Sequence, residues 1–182
     1  TISRHALVKI AHCRLIRHSR WSVFFYELEA IYDIIISMVV KMKTIKIQTN
    51  SVQETMAIAK NLATNIHSGC LILLNGDLGT GKTAFTKGIA LGLGIEDTIT
   101  SPTFTLLKEY EGRLNLKHID AYRLEGIDSD SLGLYDLMDI DSVIVLEWGS
   151  FIQDQSLNPE YIINLEYIDE NTRNIEIIEV GS

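Results

Sequence analysis

Apolar and polar residues follow regular patterns from Met42 onward, and each pattern predicts one element of secondary structure. Residues 43–49 (KTIKIQT) alternate with the period of a half-buried strand. Apolar residues then recur at the spacing of one helix face, at Met56, Ala59, Leu62, Ala63 and Ile66. Ser51 followed by Glu54 is the signature of a capping box, so we expect this helix to begin at Ser51 and Gly69 to close it.

Continuous apolar runs predict strands that are covered on both faces, at residues 70–75 (CLILLN) and 142–148 (SVIVLEW). Further strands are predicted at 103–110, 114–120, 160–168 and 173–180, the last two forming a hairpin around a polar turn. Helices are predicted from Lys82 to about Leu93 and, short and acidic, over 129–139. Because strands and helices interleave, we expect a three-layer α/β sandwich with a mixed, mostly parallel sheet.

Charge is divided unevenly along the 182 residues, whose formal net charge is -8. Residues 1–41 hold six basic and three acidic residues, which leaves ten basic and 21 acidic residues in 42–182, a net charge of -11. Direct binding of DNA or RNA needs clustered Lys and Arg. We therefore expect no direct DNA binding, and we expect a metal-bound nucleotide and proteins as partners.

Residues 1–41 differ from the rest in composition. The first 26 contain no acid, as in an organelle transit peptide, and the apolar run at 34–40 is far shorter than the roughly 20 residues of a membrane span. We interpret 1–41 as an N-terminal extension, non-native or poorly ordered, with an accessory helix or a targeting segment as the alternatives. The regular domain is then 42–182, for which Met42 is a sensible start.

Two cysteines, Cys13 and Cys70, lie far apart and form neither a zinc spacing nor a disulfide framework. This usage fits a reducing compartment, so we expect a cytoplasmic protein without a membrane span. Cys70 precedes an apolar run and is expected to be a small core residue.

A glycine-rich loop follows the apolar strand at 70–75. It contains Gly76-x-x-x-x-Gly81-Lys82-Thr83, the spacing of a Walker-A loop, in which backbone N–H groups surround a phosphate. Lys82 is placed to neutralise the β- and γ-phosphates, and the Thr83 hydroxyl to ligate Mg²⁺. An apolar strand before the loop and a helix after it are the context that this chemistry requires, so we predict a nucleotide site formed by Gly76, Asp77, Leu78, Gly79, Thr80, Gly81, Lys82 and Thr83.

Several classes of phosphate enzyme are disfavoured by the rest of the chain. The Asn-Lys-x-Asp guanine reader of GTPases and the Leu-Ser-Gly-Gly-Gln signature of transporter ATPases are both missing. Ring ATPases need a longer chain for their lid subdomain. A small-molecule kinase or a small stand-alone ATPase remains.

Three segments downstream carry groups suited to such a site. Ser101 and Thr103 (TSPTFTL) offer hydroxyls that can sense a γ-phosphate, although a polar loop entering a strand has the same appearance. Asp120 (HIDAYRL) and Glu147 (VIVLEW) end predicted strands, where α/β proteins place ligand-binding groups. Glu147 has the position of a Walker-B acid, which holds Mg²⁺ or polarises water. Either acid alone is as often a cap, whereas two beside a Walker-A loop favour function.

Together, GDLGTGKT, SPTFTL, HIDAYRL and LEWGS, in this order and spacing, resemble the bacterial TsaE (YjeE) family over about residues 43–180. The resemblance implies a P-loop NTPase-like domain with a mixed sheet. It also implies an ATP-binding and ATP-hydrolysing subunit that works with the TsaB and TsaD proteins. That complex forms N6-threonylcarbamoyladenosine in tRNAs reading codons that start with A, and the ATPase resets TsaB–TsaD between turnovers. tRNA would be contacted indirectly, through the complex.

The resemblance also implies a role for individual residues. Lys82 would bind phosphates, Thr83 and Glu147 would hold Mg²⁺, and Asp120 would support hydrolysis. Trp148 would lie beside the nucleotide, and Ser101 to Thr103 would form a nucleotide-responsive switch. Thr55 would lie near the nucleotide. Arg173 matches an Arg before the last strand, and a surface charge at the hairpin end explains it equally well.

The chain departs from the family pattern at two positions. Ala121 replaces a usual Leu with little consequence for chemistry, and Ser150 replaces an acid that often follows the Glu-Trp pair. The acidic residues Asp128, Asp130, Asp136, Asp139 and Asp141 form either a docking face for a partner or a solvated surface.

Two other functions remain open. A small-molecule kinase would share the loop, but it usually carries an Arg-rich lid, and the ten basic residues of 42–182 do not cluster. A kinase would produce a phosphorylated metabolite where an ATPase produces free phosphate. A nucleotide-gated binding module would bind ATP without meaningful turnover, and a Glu147→Ala variant that binds but does not hydrolyse ATP would identify it.

Overall fold

A computed structural model describes residues 42–122, 135–148 and 158–181. Two helices are present in these ranges, α1 (Val52–Thr64) and α2 (Lys82–Gly92), together with a short 3-10 helix (Tyr135–Leu137). The strands are β1 (Lys43–Thr49), β2 (Cys70–Asn75), β3 (Leu107–Tyr110), β4 (Asn115–Asp120), β5 (Ser142–Glu147), β6 (Tyr161–Tyr167) and β7 (Arg173–Glu179).

The seven strands form one sheet in the order β1-β7-β6-β2-β5-β4-β3. Strands β6, β2, β5 and β4 are parallel to one another, and antiparallel strands extend this centre on both sides, β7 and β1 beside β6 and β3 beside β4. The mixed α/β sheet expected from the sequence is confirmed, with its parallel pairs in the four central strands. This order brings the carboxyl ends of β2, β4 and β5 to one edge of the sheet.

Helix α1 begins as the sequence predicts. Ser51 is its N-cap and accepts a hydrogen bond from the Glu54 N–H at 3.1 Å, while the Glu54 carboxylate accepts one from the Asn50 N–H at 2.7 Å. The expectation that Gly69 closes the helix is wrong, because α1 ends at Thr64 with Asn65 as its C-cap. Gly69 instead passes close to the 139–142 segment, where a Cβ would lie 1.9 Å from the Asp139 carbonyl oxygen.

Both helices lie on one face of the sheet and share the larger hydrophobic core. Its members include Phe85 and Ile89 of α2, Ala59 and Ala63 of α1, and, from the central strands, Ile72, Leu74, Val143 and Val145. Cys70 is half-buried against this cluster, as expected. Gly88 and Gly92 allow α2 to approach α1, because a Cβ on Gly88 would lie 2.4 Å from the Met56 carbonyl oxygen. The second half of α2 therefore lies directly against α1.

The opposite face of the sheet carries a smaller apolar cluster. It is formed by Leu71, Ile119, Ala121, Ile144 and Leu146, and Leu107, Leu137 and Trp148 pack against it. Alternate residues of β2, β4 and β5 therefore face the two sides of the sheet, which is the reason β2 and β5 read as continuous apolar runs. Ala121 is fully buried in this second cluster.

Two predicted elements differ from the structure. The strand predicted over 103–110 is present only from Leu107, because the Thr105 and Leu106 N–H groups both donate to the Pro102 carbonyl and form a turn. The helix predicted over 129–139 lies partly outside the described residues, and its described end is the 3-10 helix. The predictions for residues 1–41 and for Ser150 also lie outside them. No helix within the described ranges has the length and apolar character needed to cross a bilayer.

Candidate nucleotide-binding site

The glycine loop connects the end of β2 to the start of α2 at the carboxyl edge of the sheet. Gly76, Gly79 and Gly81 have φ angles of 147°, 82° and 104°, in a region that favours glycine. Gly76 is also confined by space, because a Cβ there would lie 2.6 Å from the Leu165 carbonyl oxygen. Leu78 at the loop tip is 94% exposed. The loop therefore has the backbone that the Walker-A spacing predicts.

The Lys82 ammonium lies inside this loop. It donates hydrogen bonds to the carbonyl oxygens of Gly76 at 2.7 Å and Asp77 at 3.0 Å, and it lies 4.2 Å from the ring centroid of Trp148. Burial lowers the pKa of Lys82, and the negative charges of Glu147, Asp120 and Asp77 oppose that shift. Lys82 is thus a largely buried cation surrounded by carboxylates and carbonyl groups, where a phosphate oxygen would find a charged donor.

Asp120 and Glu147 are paired residues at the ends of the adjacent parallel strands β4 and β5. Both residues are buried, and their side chains project to the face on which α2 lies. Parallel strands that end at the same level bring such side chains together, as the sequence predicts for α/β proteins. The structure therefore brings the two predicted acids to the same side of the sheet as Lys82.

Asp120 is connected to the predicted switch residues through hydrogen bonds. Its Oδ2 accepts from Thr103 Oγ1 at 2.7 Å, its Oδ1 accepts from the Tyr122 N–H at 3.0 Å, and Thr103 Oγ1 lies 2.6 Å from Ser101 Oγ. Leu106, which closes this turn, has a φ of 66°, an uncommon conformation for a residue with a side chain. The 101–106 turn is thereby attached to one of the two acids.

Glu147 is paired with a residue to which the sequence patterns assign no role, His118. Its Oε1 lies 2.8 Å from His118 Nε2, and His118 is fully buried. His118 precedes Asp120 by two positions on β4, so strand alternation places both on the same face. The sequence therefore contained one indication that His118 lies near the site, namely its position two residues before Asp120 on the same predicted strand.

Trp148 follows Glu147 in a left-handed backbone conformation, with a φ of 60°. Its ring lies 5.3 Å from that of Tyr122, at an interplanar angle of 59°. Because the same indole faces the Lys82 ammonium, Trp148 lies beside the glycine loop. A contact between Trp148 and a nucleotide stays a prediction. Thr83 lies next to Lys82 in the first turn of α2 and is half-buried.

Of two further candidate residues, Arg173 contacts the glycine loop, whereas the recorded hydrogen bonds of Thr55 are to residues outside it. Arg173 donates from Nε to the Thr80 carbonyl oxygen at 2.9 Å, so it contacts the loop and is more than a surface charge at the hairpin end. Thr55 is buried, and its hydroxyl is engaged by Thr49 Oγ1 at 2.9 Å and the Ser51 carbonyl oxygen at 3.2 Å. A nucleotide contact for Thr55 stays a prediction.

Oxygen donors suited to Mg²⁺ are present at the site. The Glu147 carboxylate and the Thr83 hydroxyl are hard ligands of the kind that Mg²⁺ prefers, and both belong to elements that border the glycine loop. The residues therefore fit the metal that the loop motif implies.

A central parallel sheet, a glycine loop between β2 and α2, a buried lysine in that loop and two acids at neighbouring strand ends define a P-loop-like α/β domain. The family model for the threonylcarbamoyl adenosine biosynthesis protein TsaE matches residues 49–175. The chain belongs to the TsaE family.

Curated relatives and a solved structure agree with this assignment. The chain is 42% identical over 142 residues to the tRNA threonylcarbamoyladenosine biosynthesis protein TsaE of Bacillus subtilis, a match that covers 78% of this chain and 89% of that protein. It is 39% identical over 132 residues to the protein of the same name from Treponema pallidum, with 71% and 96% covered. The crystal structure of Bacillus subtilis YdiB superimposes with a TM-score of 0.64 at 36% identity, covering 77% of this chain and 88% of that one.

Proposed function

We propose that this protein binds ATP with Mg²⁺ at the glycine loop and hydrolyses it to ADP and phosphate. The observation that carries the proposal is the placement of Asp120 and Glu147, register partners on β4 and β5, on the face of the sheet where Lys82 occupies the loop. This combination is the minimum that phosphoryl transfer to water requires: a phosphate cradle, a cation and acids for metal and water.

Each residue has a part in the proposed reaction. The loop N–H groups and the Lys82 ammonium bind the β- and γ-phosphates, and Thr83 and Glu147 hold Mg²⁺, which supplies charge neutralisation on the phosphates. The Asp120 carboxylate orients the attacking water and accepts its proton, and Thr103 holds that carboxylate at 2.7 Å. Trp148 packs beside the nucleotide, and the Ser101–Thr103 turn moves with the γ-phosphate, so that phosphate loss changes the surface around it.

We further propose that this ATPase serves tRNA modification in the cytoplasm. The named relatives are tRNA threonylcarbamoyladenosine biosynthesis proteins, at up to 42% identity over most of this chain. Here the chain is the ATPase subunit that works with TsaB and TsaD to form N6-threonylcarbamoyladenosine in tRNAs reading codons that start with A. Its hydrolysis resets the TsaB–TsaD complex between turnovers, it contacts tRNA through that complex, and it turns over slowly alone.

The test follows phosphate release and tRNA modification together over many turnovers, with purified TsaB, TsaD and the full chain. Lys82→Ala is compared with Lys87→Ala, which changes an exposed lysine of the same helix. Both activities are expected to continue past one turnover with wild type and Lys87→Ala, and to stop with Lys82→Ala. Equal activity of the two variants would refute the proposal, and a phosphorylated metabolite in place of free phosphate would point to a kinase.

A further inference from the structure

Arg173, the first residue of β7, attaches the closing hairpin to the glycine loop. Its Nε donates to the Thr80 carbonyl oxygen at 2.9 Å, and its Nη2 lies 3.5 Å from the Gly79 carbonyl oxygen. On the hairpin side, Nη1 donates to the carbonyl oxygens of Asp169 at 2.6 Å and Thr172 at 2.8 Å. The guanidinium therefore joins two segments that lie 93 residues apart in the chain.

The Arg173 guanidinium also packs against an aromatic ring. Its central carbon lies 4.6 Å from the ring centroid of Tyr167, the last residue of β6. The contact with an aromatic face and the bonds to several carbonyl groups restrict the orientation of the side chain. Arg173 thus presents a rigid pair of donors to the loop.

Bonding at the Thr80 carbonyl has a consequence for the neighbouring N–H group. A trans peptide is planar, so the Thr80 C=O and the Gly81 N–H point in opposite directions. With the carbonyl directed toward Arg173, the Gly81 N–H points to the opposite side of the peptide. Phosphate binding by a glycine loop depends on N–H groups that are turned toward the anion before it arrives.

The two glycines that flank Thr80 do not themselves fix the conformation of this part of the loop. Gly79 and Gly81 have open space where a Cβ would be, and glycine visits positive and negative φ with similar ease. A hydrogen bond accepted by the Thr80 carbonyl also polarises its peptide and strengthens the Gly81 N–H as a donor. The permanent charge of Arg173 adds positive potential behind a loop in a domain whose formal net charge is -11 over residues 42–182.

We propose that Arg173 is a positioning residue for phosphate binding: by holding the Thr80 and Gly79 carbonyls it presents the loop N–H groups to the phosphates of ATP and ADP. This inference rests on the proposed nucleotide function and deepens it. Arg173 acts through the peptide backbone of the loop and does not itself contact the phosphate.

A matched control exists in Arg113. It also bonds main-chain carbonyls between distant segments, with Nη1 2.6 Å from the Ile66 oxygen and Nε 3.3 Å from the Gly92 oxygen, at the carboxyl ends of α1 and α2. Its replacement therefore removes the same kind of interaction at a place remote from the glycine loop. Arg113→Ala measures what carbonyl bonding contributes to stability alone.

The experiment measures ATP and ADP affinity by calorimetry, steady-state hydrolysis, and thermal unfolding for the full-length variants. Arg173→Ala is expected to weaken both nucleotides by about ten- to a hundredfold, as for loss of a charge-assisted hydrogen bond, and to raise KM while kcat stays within about threefold. Arg173→Lys, which retains the charge and one donor, is expected to recover part of the affinity. Arg113→Ala is expected to lower the unfolding temperature and leave the affinities unchanged.

Each other result has a definite meaning. Unchanged affinity in Arg173→Ala, or an affinity loss that Arg113→Ala reproduces, would overturn the inference and leave the nucleotide function intact. The inference would also be overturned if Arg173→Ala lowers the unfolding temperature as much as Arg113→Ala does and Arg173→Lys restores no affinity. Arg173 would then only stabilise the hairpin. If the wild type binds neither ATP nor ADP, the proposed function itself fails, and the inference fails with it.

Discussion

His118 Nε2 lies 2.8 Å from Glu147 Oε1, and the two side chains, 0% and 4% exposed, come from neighbouring strands. A carboxylate that is this deeply buried is costly unless a hydrogen-bond donor faces it. The imidazole supplies that donor when Nε2 carries a proton, while Nδ1 has no partner among the described residues. The pair fixes the orientation of the acid that is predicted to hold Mg²⁺.

We expect His118→Ala to destabilise the protein by about 2–4 kcal/mol, because it removes the partner of a buried acid and leaves a cavity. ATP hydrolysis at a temperature where the variant is folded should also fall, since Glu147 loses its orientation. Urea unfolding and phosphate release measure the two effects. His67→Ala, at an exposed histidine, is the control, and equal stability of the two variants would contradict the prediction.

We expect Thr103→Val to lower kcat for ATP hydrolysis by about tenfold while changing nucleotide affinity little, because valine has the same shape but cannot donate to Asp120. Thr103→Ser keeps the hydroxyl and should retain activity. Thr105→Val is the control in the same turn, since the Thr105 hydroxyl bonds the Pro102 carbonyl and not an acid. An unchanged kcat in Thr103→Val would show that the hydrogen bond from Thr103 to Asp120 does not contribute to hydrolysis.

We expect the fluorescence of Trp148 to report nucleotide binding, because the Lys82 ammonium lies 4.2 Å from its ring centroid and would turn toward phosphate. In a Trp21→Phe background Trp148 is the single tryptophan. Titration with ADP should change its emission, and Lys82→Ala should abolish that change. An emission unaffected by saturating ADP, with binding verified by calorimetry, would refute the prediction.

We expect Gly88→Ala to lower the free energy of unfolding by about 1–3 kcal/mol, as overpacking of a core does. The added Cβ would lie 2.4 Å from the Met56 carbonyl oxygen and 2.6 Å from Ala59 Cβ, so α1 and α2 must separate. Chemical denaturation measures the loss, with Lys87→Ala as the exposed neighbour on the same helix. Wild-type stability in Gly88→Ala would show that the crossing has room to adjust.

We expect Cys70 to be unreactive in the folded protein. Burial, followed by the negative charge of Glu160, raises the pKa of the Cys70 thiol from 9.0 to about 12. In a Cys13→Ser background at pH 8, alkylation should be on the order of a thousand times slower in the folded than in the unfolded chain, because the thiolate is the reactive form.

The raised pKa of Cys70 also makes the stability of the folded protein depend on pH. The folded state holds this proton more tightly, so its contribution is complete below pH 9 and is lost as pH rises from 9 toward about 12. A Cys70→Ala variant should therefore lose less stability over that interval than the protein with Cys70. Rapid alkylation at pH 8 or identical pH profiles would contradict the assigned pKa.

The local parts of the site could be predicted from the sequence because they depend on spacing within a few residues. The glycine loop, the strand before it and the helix after it form one contiguous segment, and the alternation of β4 and β5 places Asp120 and Glu147 at strand ends. The mixed sheet could be predicted because strands and helices interleave along the chain. The early end of α1 and the turn at 103–106 were missed because backbone hydrogen bonds, not apolar spacing, set those boundaries.

The contacts made by His118 and Arg173 could not be predicted in the same way. His118 meets Glu147 only because β4 and β5 are in register, and Arg173 reaches Thr80 only because β7 and β6 continue the sheet beside β2. Both contacts join residues that are distant in sequence, and a single chain without its fold carries no signal of strand order. Once the order is known, both follow from geometry.

The strand order also bears on solubility. The described sheet has its edges at β1 and β3, whose unpaired backbone groups are the places where a second copy would add a strand. Strand β1 carries Lys43 and Lys46, and β3 is four residues long and includes Lys108. Lysines and short length are the features by which natural sheets resist edge-to-edge pairing. Both edges of the described sheet therefore carry features that disfavour the addition of a strand from a second copy.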